Sequence, residues 1–546
     1  MLVFVLVMAA FVGCAKPANS ETAGTSDDSQ TEAASPAADQ LLNWNLGAEP
    51  KTLDPQLNSA ADGGHVINNT FEGLFRHSGA EIIPAIADTY EVSEDGLVYT
   101  FNLKESKWSD GQPLTANDFE YAWKRALDPV TASEYSFQMY YIKGGKEFFE
   151  GTGKREDVAV VAVDDSTLQV TLVGPTPYFL DLLTFYTYMP VRQDIVEANP
   201  EGAWAIDPTK FVGNGPFVLT EYNSGSNLVL EKNPNYWNAE NVKLTKIIAH
   251  MIVDESTQLT AYETGELDII DTMPSAEIPR LAAEDATFVV KPQLGTYYYI
   301  FNVNADAVKD VRVRKALTLA IDRKAIVENV TKAGQIPATG FVPNGLFDAD
   351  GNEFRVVAGD YGINPVAADI EGAKALLAEA GFPDGKGFPT LEILYNTSEG
   401  HKAIAEAIQE MWKKNLGIEV SIANQDWAVF QDSRHQGNFV VSRAGWLGDY
   451  ADPMTFLDLW TSYSGNNDSQ WKSTDYDALI EKSKVTTGKE RFDTLYAAEK
   501  MMMDENIILP IYYYTDPFMV KEHVSGWEKT TLGHWYFGNI EMLTAE

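Results

Sequence analysis

From residue 41 onward the chain carries two hydrophobic rhythms, one of period two and one near 3.6, and residues 15–40 carry neither. Leu97, Tyr99, Phe101 and Leu103 alternate with polar neighbours behind an Asp95-Gly96 turn, which predicts a half-buried strand. LQVTLV (168–173), NLVLEK (227–232) and TYYYIFNV (296–303) read as further strands. Thr115, with Asp118 at the third helical position, predicts the start of a helix. Its Phe119, Ala122, Trp123, Ala126 and Leu127 share one face, and Asp128-Pro129 ends it. The 3.6 rhythm predicts helices over 311–330, 366–380 with Gly381 as its C-cap, 400–415 and 489–505. LEILYN, a helix and IEVSIANQ (391–425) follow in the order of a βαβ unit, so the body reads as mixed α/β. No period of 20–50 residues recurs, which argues against a solenoid or propeller.

The first forty residues are of another kind. An apolar run from Leu2 to Val12 and Gly13 precede Cys14, the single cysteine of the chain. This resembles a bacterial lipobox, with residues 1–13 as signal peptide and Cys14 as the lipidated first residue of the mature protein. Residues 15–40 have no aliphatic side chain larger than Ala, so they bury nothing and are expected to stay disordered. Such a tether reaches about 28 Å. With Cys14 it makes 14–40 an anchor holding the body at a membrane without crossing it.

Charge and composition narrow the function. The 546 residues carry a net charge of −38, which argues against nucleic-acid partners, because phosphate binding needs clustered Lys and Arg. One cysteine excludes internal disulfides and thiolate clusters, and the seven histidines show no HExxH or HxH spacing. No cofactor or metal is expected. GxSxG and Walker loops are absent, and in DADGN (348–352) the Gly stands at position 4 instead of the 6 of a calcium loop. The remaining enzymatic alternative is a carboxylate-based hydrolase, since 79 acidic residues will place carboxylate pairs in any cleft.

Ordered segments carry a family resemblance. FEGLFRH (71–77), VSEDGLVYTFNLKESKWSDGQPLTANDFEYAWKRALDPVTAS (92–133), TPYFLDLL (176–183), VGNGPF (212–217), KNPNYW (232–237) and DVRVRKALTLAIDRKAIV (310–327) resemble the family 5 extracytoplasmic solute-binding proteins of ABC importers. LGTYYYIFN (294–302), LYNTSEGHK (394–402), SRHQG (433–437) and RAGWLGDYADPMTFL (443–457) are similar to the oligopeptide-binding subgroup. The resemblance implies a two-lobed periplasmic-binding-protein-like fold of type II, with an extra domain and a hinged interlobe cleft. Lobe I would be 41–72, 205–294 and 515–546, the extra domain 73–204 and lobe II 295–514, with hinge crossings near Leu294-Gly295 and Tyr514–Asp516. It also implies a monomer that delivers short peptides to permease subunits driven by cytoplasmic ATPases.

A peptide presents an ammonium, a carboxylate and a row of amides, and in a dry cavity each needs a partner. The resemblance places Asp449 at the amino terminus and Arg434, Arg443 and His401 at the carboxyl terminus, while Asp452, beside Pro453, reads as a turn cap. A further basic position of the subgroup falls on Thr331, with Lys332 next to it. Tyr135, Tyr298, Trp427 and Trp446 match positions near ligand side chains. On a period of two, Tyr297 and Tyr299 turn to the core and Tyr298 to the ligand. Within the family, dipeptides, cell-wall peptides and other small solutes remain alternative ligands, and the absence of a His cluster disfavours nickel.

Overall fold

The computed structural model describes residues 35–544, apart from 80, 201 and 531. Cys14, the signal segment and most of the tether lie outside the described residues. Among the described residues no helix is long and apolar enough to cross a membrane.

An 11-stranded mixed sheet runs through the molecule. At one end lie Phe217–Asn223, Asn227–Lys232, Lys246–His250, Leu41–Asn45 and the short Ile269–Ile270. At the other lie Val441–Leu447, Leu391–Asn396 and Val420–Gln425. Two long strands, Phe288–Phe301 and Ile508–Val520, join the halves and pair antiparallel. Residues 288–292 face 515–519, and 296–300 face 508–513. Between these stretches Gln293, Leu294 and Gly295 stand opposite Tyr514 alone, so the ladder is interrupted where the hinge crossings are expected. Gly295 is needed there, because a Cβ would lie 2.8 Å from the Trp446 carbonyl oxygen.

Most of the expected elements form. NLVLEK is the strand Asn227–Lys232, and the helix Ala116–Ala126 opens on a Thr115–Asp118 capping box and buries Phe119, Ala122, Trp123 and Ala126. The 391–425 segment forms a parallel pair of strands around the helix Glu399–Leu416, which Ser398 caps and Gly417 ends with φ +71°. Two helices differ from the sequence reading. The span 311–330 divides into Val311–Leu319 and Arg323–Ile326, followed by a π turn. The Asp322 carboxylate accepts from the Ala325 N–H and so caps a second start. Asp369 likewise caps at Gly372, and the helix begins at Ile370 instead of 366.

Residues 87–171 build a separate four-stranded sheet, Ala87–Val92, Val98–Leu103, Thr167–Thr171 and Val160–Asp164 in spatial order. This unit and the residues that follow it touch both halves of the molecule. Arg125 makes a bidentate pair with buried Asp54 at 2.7 and 2.8 Å. On the other side Tyr178 stacks on Tyr450 at 5.4 Å, and the Ala451 N–H donates to Asp181 at 2.8 Å.

Candidate functional site

The interrupted ladder floors a cleft made of three adjoining chambers. The first, about 240 Å³, is lined by Tyr135, Tyr186, Arg434, Trp446 and Asp449. The middle one, about 690 Å³, shares Trp427, Arg443 and Gln293 with it and adds Asp62, His65 and Lys529. The third, about 350 Å³, holds Glu255, Thr331 and His401 and shares Asp271, Asp516 and Gln293 with the middle one.

Asp449 follows the strand Val441–Leu447 and is buried. One carboxylate oxygen accepts from Gln138 Nε2 at 2.6 Å, the other from Tyr135 at 3.5 Å, and the backbone N–H donates to Thr455 Oγ1. Among the described residues no cation pairs with it. Burial, together with the charge of Asp458, holds its carboxyl well above the usual carboxylate range, and the hydrogen bonds offset this only in part. A buried acid without a cation is an acceptor for one that arrives from outside.

Arg443 is the converse. Its guanidinium lies 4.9 Å from the Tyr297 ring centre and donates to Tyr514 Oη at 3.2 Å and Asn396 Oδ1 at 3.4 Å, while its Nε is buried without a partner. Burial opposes the charge and the neighbouring Tyr514, Tyr297 and Tyr512 favour it, with the net shift upward, so the side chain is a cation, and among the described residues no carboxylate pairs with it.

The other carboxyl-end candidates differ from expectation. Arg434 lines the Asp449 chamber, but its Nε is 2.7 Å from Asp468, so its charge is already paired. Asp468 also meets His435 at 2.8 Å, and His435 reaches Glu134 of the small-sheet unit at 3.2 Å. His401 is not a cation. Burial and the nearby Arg443 hold its pKa well below the ordinary histidine value. Its Nδ1 lies 3.2 Å from Tyr297 Oη in the first turn of the helix Glu399–Leu416, so it stands in the cleft as a neutral imidazole at a helix N-terminus. Thr331 lines the same chamber, whereas Lys332 lies in a separate groove with Lys324.

Of the aromatic candidates, Tyr135, Trp427 and Trp446 line the cleft. Tyr298 does not. It faces away from Tyr297 and Tyr299 as the period of two requires, but that face is also core: the ring packs on Phe341 at 5.1 Å and Trp460 at 6.0 Å. Asp452 accepts from the Met454 N–H and pairs with Arg491, which leaves Asp449 as the free carboxylate of the GDYADP segment. Sequence reasoning missed Gln138, Tyr514 and Asp62. Gln138 and Tyr514 are neutral supports for charged neighbours, and no pattern marks such residues before folding.

The halves are drawn together over the cleft. Lys51 pairs with Asp432 at 2.7 Å, and Glu255 accepts from Ser398 Oγ at 3.2 Å and the Gly400 N–H at 3.4 Å.

A sheet in two halves, joined by two strands beneath a closed cleft of charged and aromatic groups, defines a two-lobed binding protein of type II with an extra domain. The profile of bacterial extracellular solute-binding proteins, family 5, matches residues 81–468, and the chain belongs to that family. It is 40% identical over 507 residues to the oligopeptide-binding protein OppA of Bacillus subtilis, covering 91% of this chain and 92% of the relative. Haemophilus influenzae OppA, solved in complex with RPPGFSPFR, is similar with TM-score 0.87 and 32% identity, covering 93% of this chain and all of that one. The murein tripeptide-binding protein MppA of Escherichia coli, 34% identical over 93% of this chain and all of its own, also gives 0.87. An unliganded open form of MppA, over 94% of this chain and 99% of its own, gives 0.62 at the same 34% identity. The cleft described above is therefore in a closed arrangement.

Proposed function

We propose that this protein is the extracytoplasmic substrate-binding lipoprotein of an ABC peptide importer, closing on short peptides and passing them to a membrane permease. The observation that carries the reading is the pair of unmatched charges in one cleft. Among the described residues, Asp449 is a buried acid with no cation beside it and Arg443 is a part-buried cation with no carboxylate beside it, and both line one chamber. A zwitterion with an extended middle satisfies both at once, and the exposed amides of the ligand find strand edges at 293–295 and 445–448. The peptide-binding names of the relatives support the ligand class. On this reading lobe I is 41–72, 205–294 and 515–546, the extra domain 73–204, and lobe II 295–514, with the protein acting as a monomer.

The test is a thermal-shift series with a tetrapeptide and its N-acetylated copy. At a hundredfold excess over Kd the free peptide should stabilise the protein by about 2.7 kcal/mol. The acetylated copy, which has no ammonium for Asp449, should do far less. Equal shifts would remove Asp449 from its role, and no shift with any peptide would remove the function. Native mass spectrometry of the purified protein should add a ladder of masses spaced by amino-acid residues, and a single sharp adduct would favour a dedicated ligand such as a cell-wall peptide.

Anchoring is proposed to run through Cys14. Cys14→Ala is expected to move the protein from the membrane fraction to the soluble extracytoplasmic fraction with unchanged peptide affinity, because the cleft is built from residue 46 onward. A mutant protein still held by membranes after a high-salt wash would exclude the lipid anchor.

A further inference from the structure

The middle chamber contains a carboxylate that neither end of a peptide uses. Asp62 is the second residue of the helix Ala61–Thr70, whose N-cap Ala60 makes no side-chain cap. An acid in a first helical turn is ordinarily explained by the helix dipole and stands in solvent. Here both carboxylate oxygens are buried, with the Gly63 N–H and the Trp427 indole near them but neither in a well-formed hydrogen bond.

The remaining charges of the chamber are spoken for. Glu49 accepts from Tyr222 Oη, Ser224 Oγ and the Gly225 N–H. Asp271 and Asp516 share Lys529 at 2.6 and 2.8 Å. His65, on the helix of Asp62, is held neutral by burial, with its pKa brought down to about 4. Arg443 is turned to Tyr514 and Asn396. From the opposite wall come Trp427 and the exposed Asp426, which adds a second negative charge. Among the described residues no basic side chain comes near enough to stabilise the charge of Asp62.

We infer that Asp62 is a specificity-determining residue that selects peptides placing a Lys or Arg side chain in the middle chamber. The inference rests on the peptide reading above and narrows it, from any short peptide to one with a basic residue at a particular place. The ammonium or guanidinium would pair with Asp62 and lie against the Trp427 indole, which suits a cation for reasons independent of the carboxylate. A long apolar side chain would fill the same space and leave Asp62 unpaired.

Protonation supplies a second signature. Burial drives the Asp62 carboxyl up to about 7 in the closed cleft, and the Gly63 N–H and the Trp427 indole oppose this only in part. An arriving cation favours the ionised form and draws the pKa down again. Binding of the basic peptide at pH 6.5 should therefore release a proton, and the preference for it should grow between pH 6 and 8 as the empty site ionises unaided.

The experiment uses calorimetry on the mature protein with alanine tetrapeptides that carry one Lys, or one norleucine of matching length, at each position in turn. At one interior position Lys should bind about tenfold more tightly than norleucine, with a binding heat that varies more steeply with the ionisation enthalpy of the buffer than that of the norleucine peptide. In Asp62→Asn the Lys-to-norleucine ratio at that position should fall to about one and the buffer dependence should drop to that of the norleucine peptide, while Asp62→Glu should keep a ratio well above one. Because each ratio is taken within one variant, a general loss of affinity or stability does not alter the reading. A ratio unchanged by Asp62→Asn, or no preference for Lys at any position in the unmodified protein, overturns the assignment. Failure of every tetrapeptide to bind would instead overturn the peptide reading itself.

Discussion

Asp449→Asn should weaken peptides of every length by about 2–5 kcal/mol, and the empty protein should become no less stable. The first effect follows from the ammonium, which lies at one place whatever the length of the chain behind it and would be left buried beside a neutral amide. The second follows from the ligand-free site. The Asp449 carboxyl is held above the usual carboxylate range by burial, so its ionised form opposes folding, and that cost grows as pH rises above the ordinary Asp value. Asn keeps an oxygen for Gln138 Nε2 and carries no charge to desolvate. Calorimetry with di-, tri-, tetra- and pentapeptides measures the first effect, and thermal melting of the empty protein between pH 5 and 8 the second. A loss confined to some lengths, or a less stable empty protein with an unchanged pH slope, would remove Asp449 as the amino-end anchor.

The architecture was legible wherever a rhythm had a single cause. The helix face from Phe119 to Leu127 and the alternating strand at 97–103 depend only on which side of an element meets the core, and both form where expected. The break at Asp322 was not visible, because an Asp inside an amphipathic run reads equally as a solvated residue or as a new cap, and only the buried Arg323, bonded to the Thr318, Ile321 and Pro510 carbonyls, decides it. Tyr298 shows the limit of a period of two. Alternation separates it from Tyr297 and Tyr299, but it cannot say whether the other face is cleft or core, and Phe341 and Trp460, far off in sequence, make it core.

The charged residues divide in the same way. Residue type and family motif bring Asp449, Arg443 and His401 to one cleft, but they cannot report state. His401 is neutral because it is buried beside Arg443, and Arg434 is already paired because Asp468 lies on it. Asp62 carried no signal at all, since a first-turn acid is ordinary in sequence and becomes unusual only when Trp427 closes over it.

Arg443→Met should separate peptides by length, costing about 2–5 kcal/mol for those whose carboxylate ends at the guanidinium and much less for longer ones. The carboxyl end moves about 3.3 Å with each added residue of an extended ligand, so it passes Arg443 and approaches the His401 chamber. There it meets a neutral imidazole and a helix N-terminus, and His401→Ala should cost those longer peptides only about 1 kcal/mol. Met keeps much of the apolar Arg stem and removes the guanidinium with its place over the Tyr297 ring, so the loss reports the guanidinium and not the packing of the stem. Arg434→Ala should give a third pattern. It leaves Asp468 buried with His435 as its one remaining partner, and so weakens all lengths alike through closure and not through the carboxylate. Calorimetry of the three variants against the same peptide series distinguishes these outcomes. A uniform loss for Arg443→Met would mean that its guanidinium holds the lobes together rather than the end of the peptide, and a length-selective loss for Arg434→Ala would mean that Asp468 releases it to the ligand.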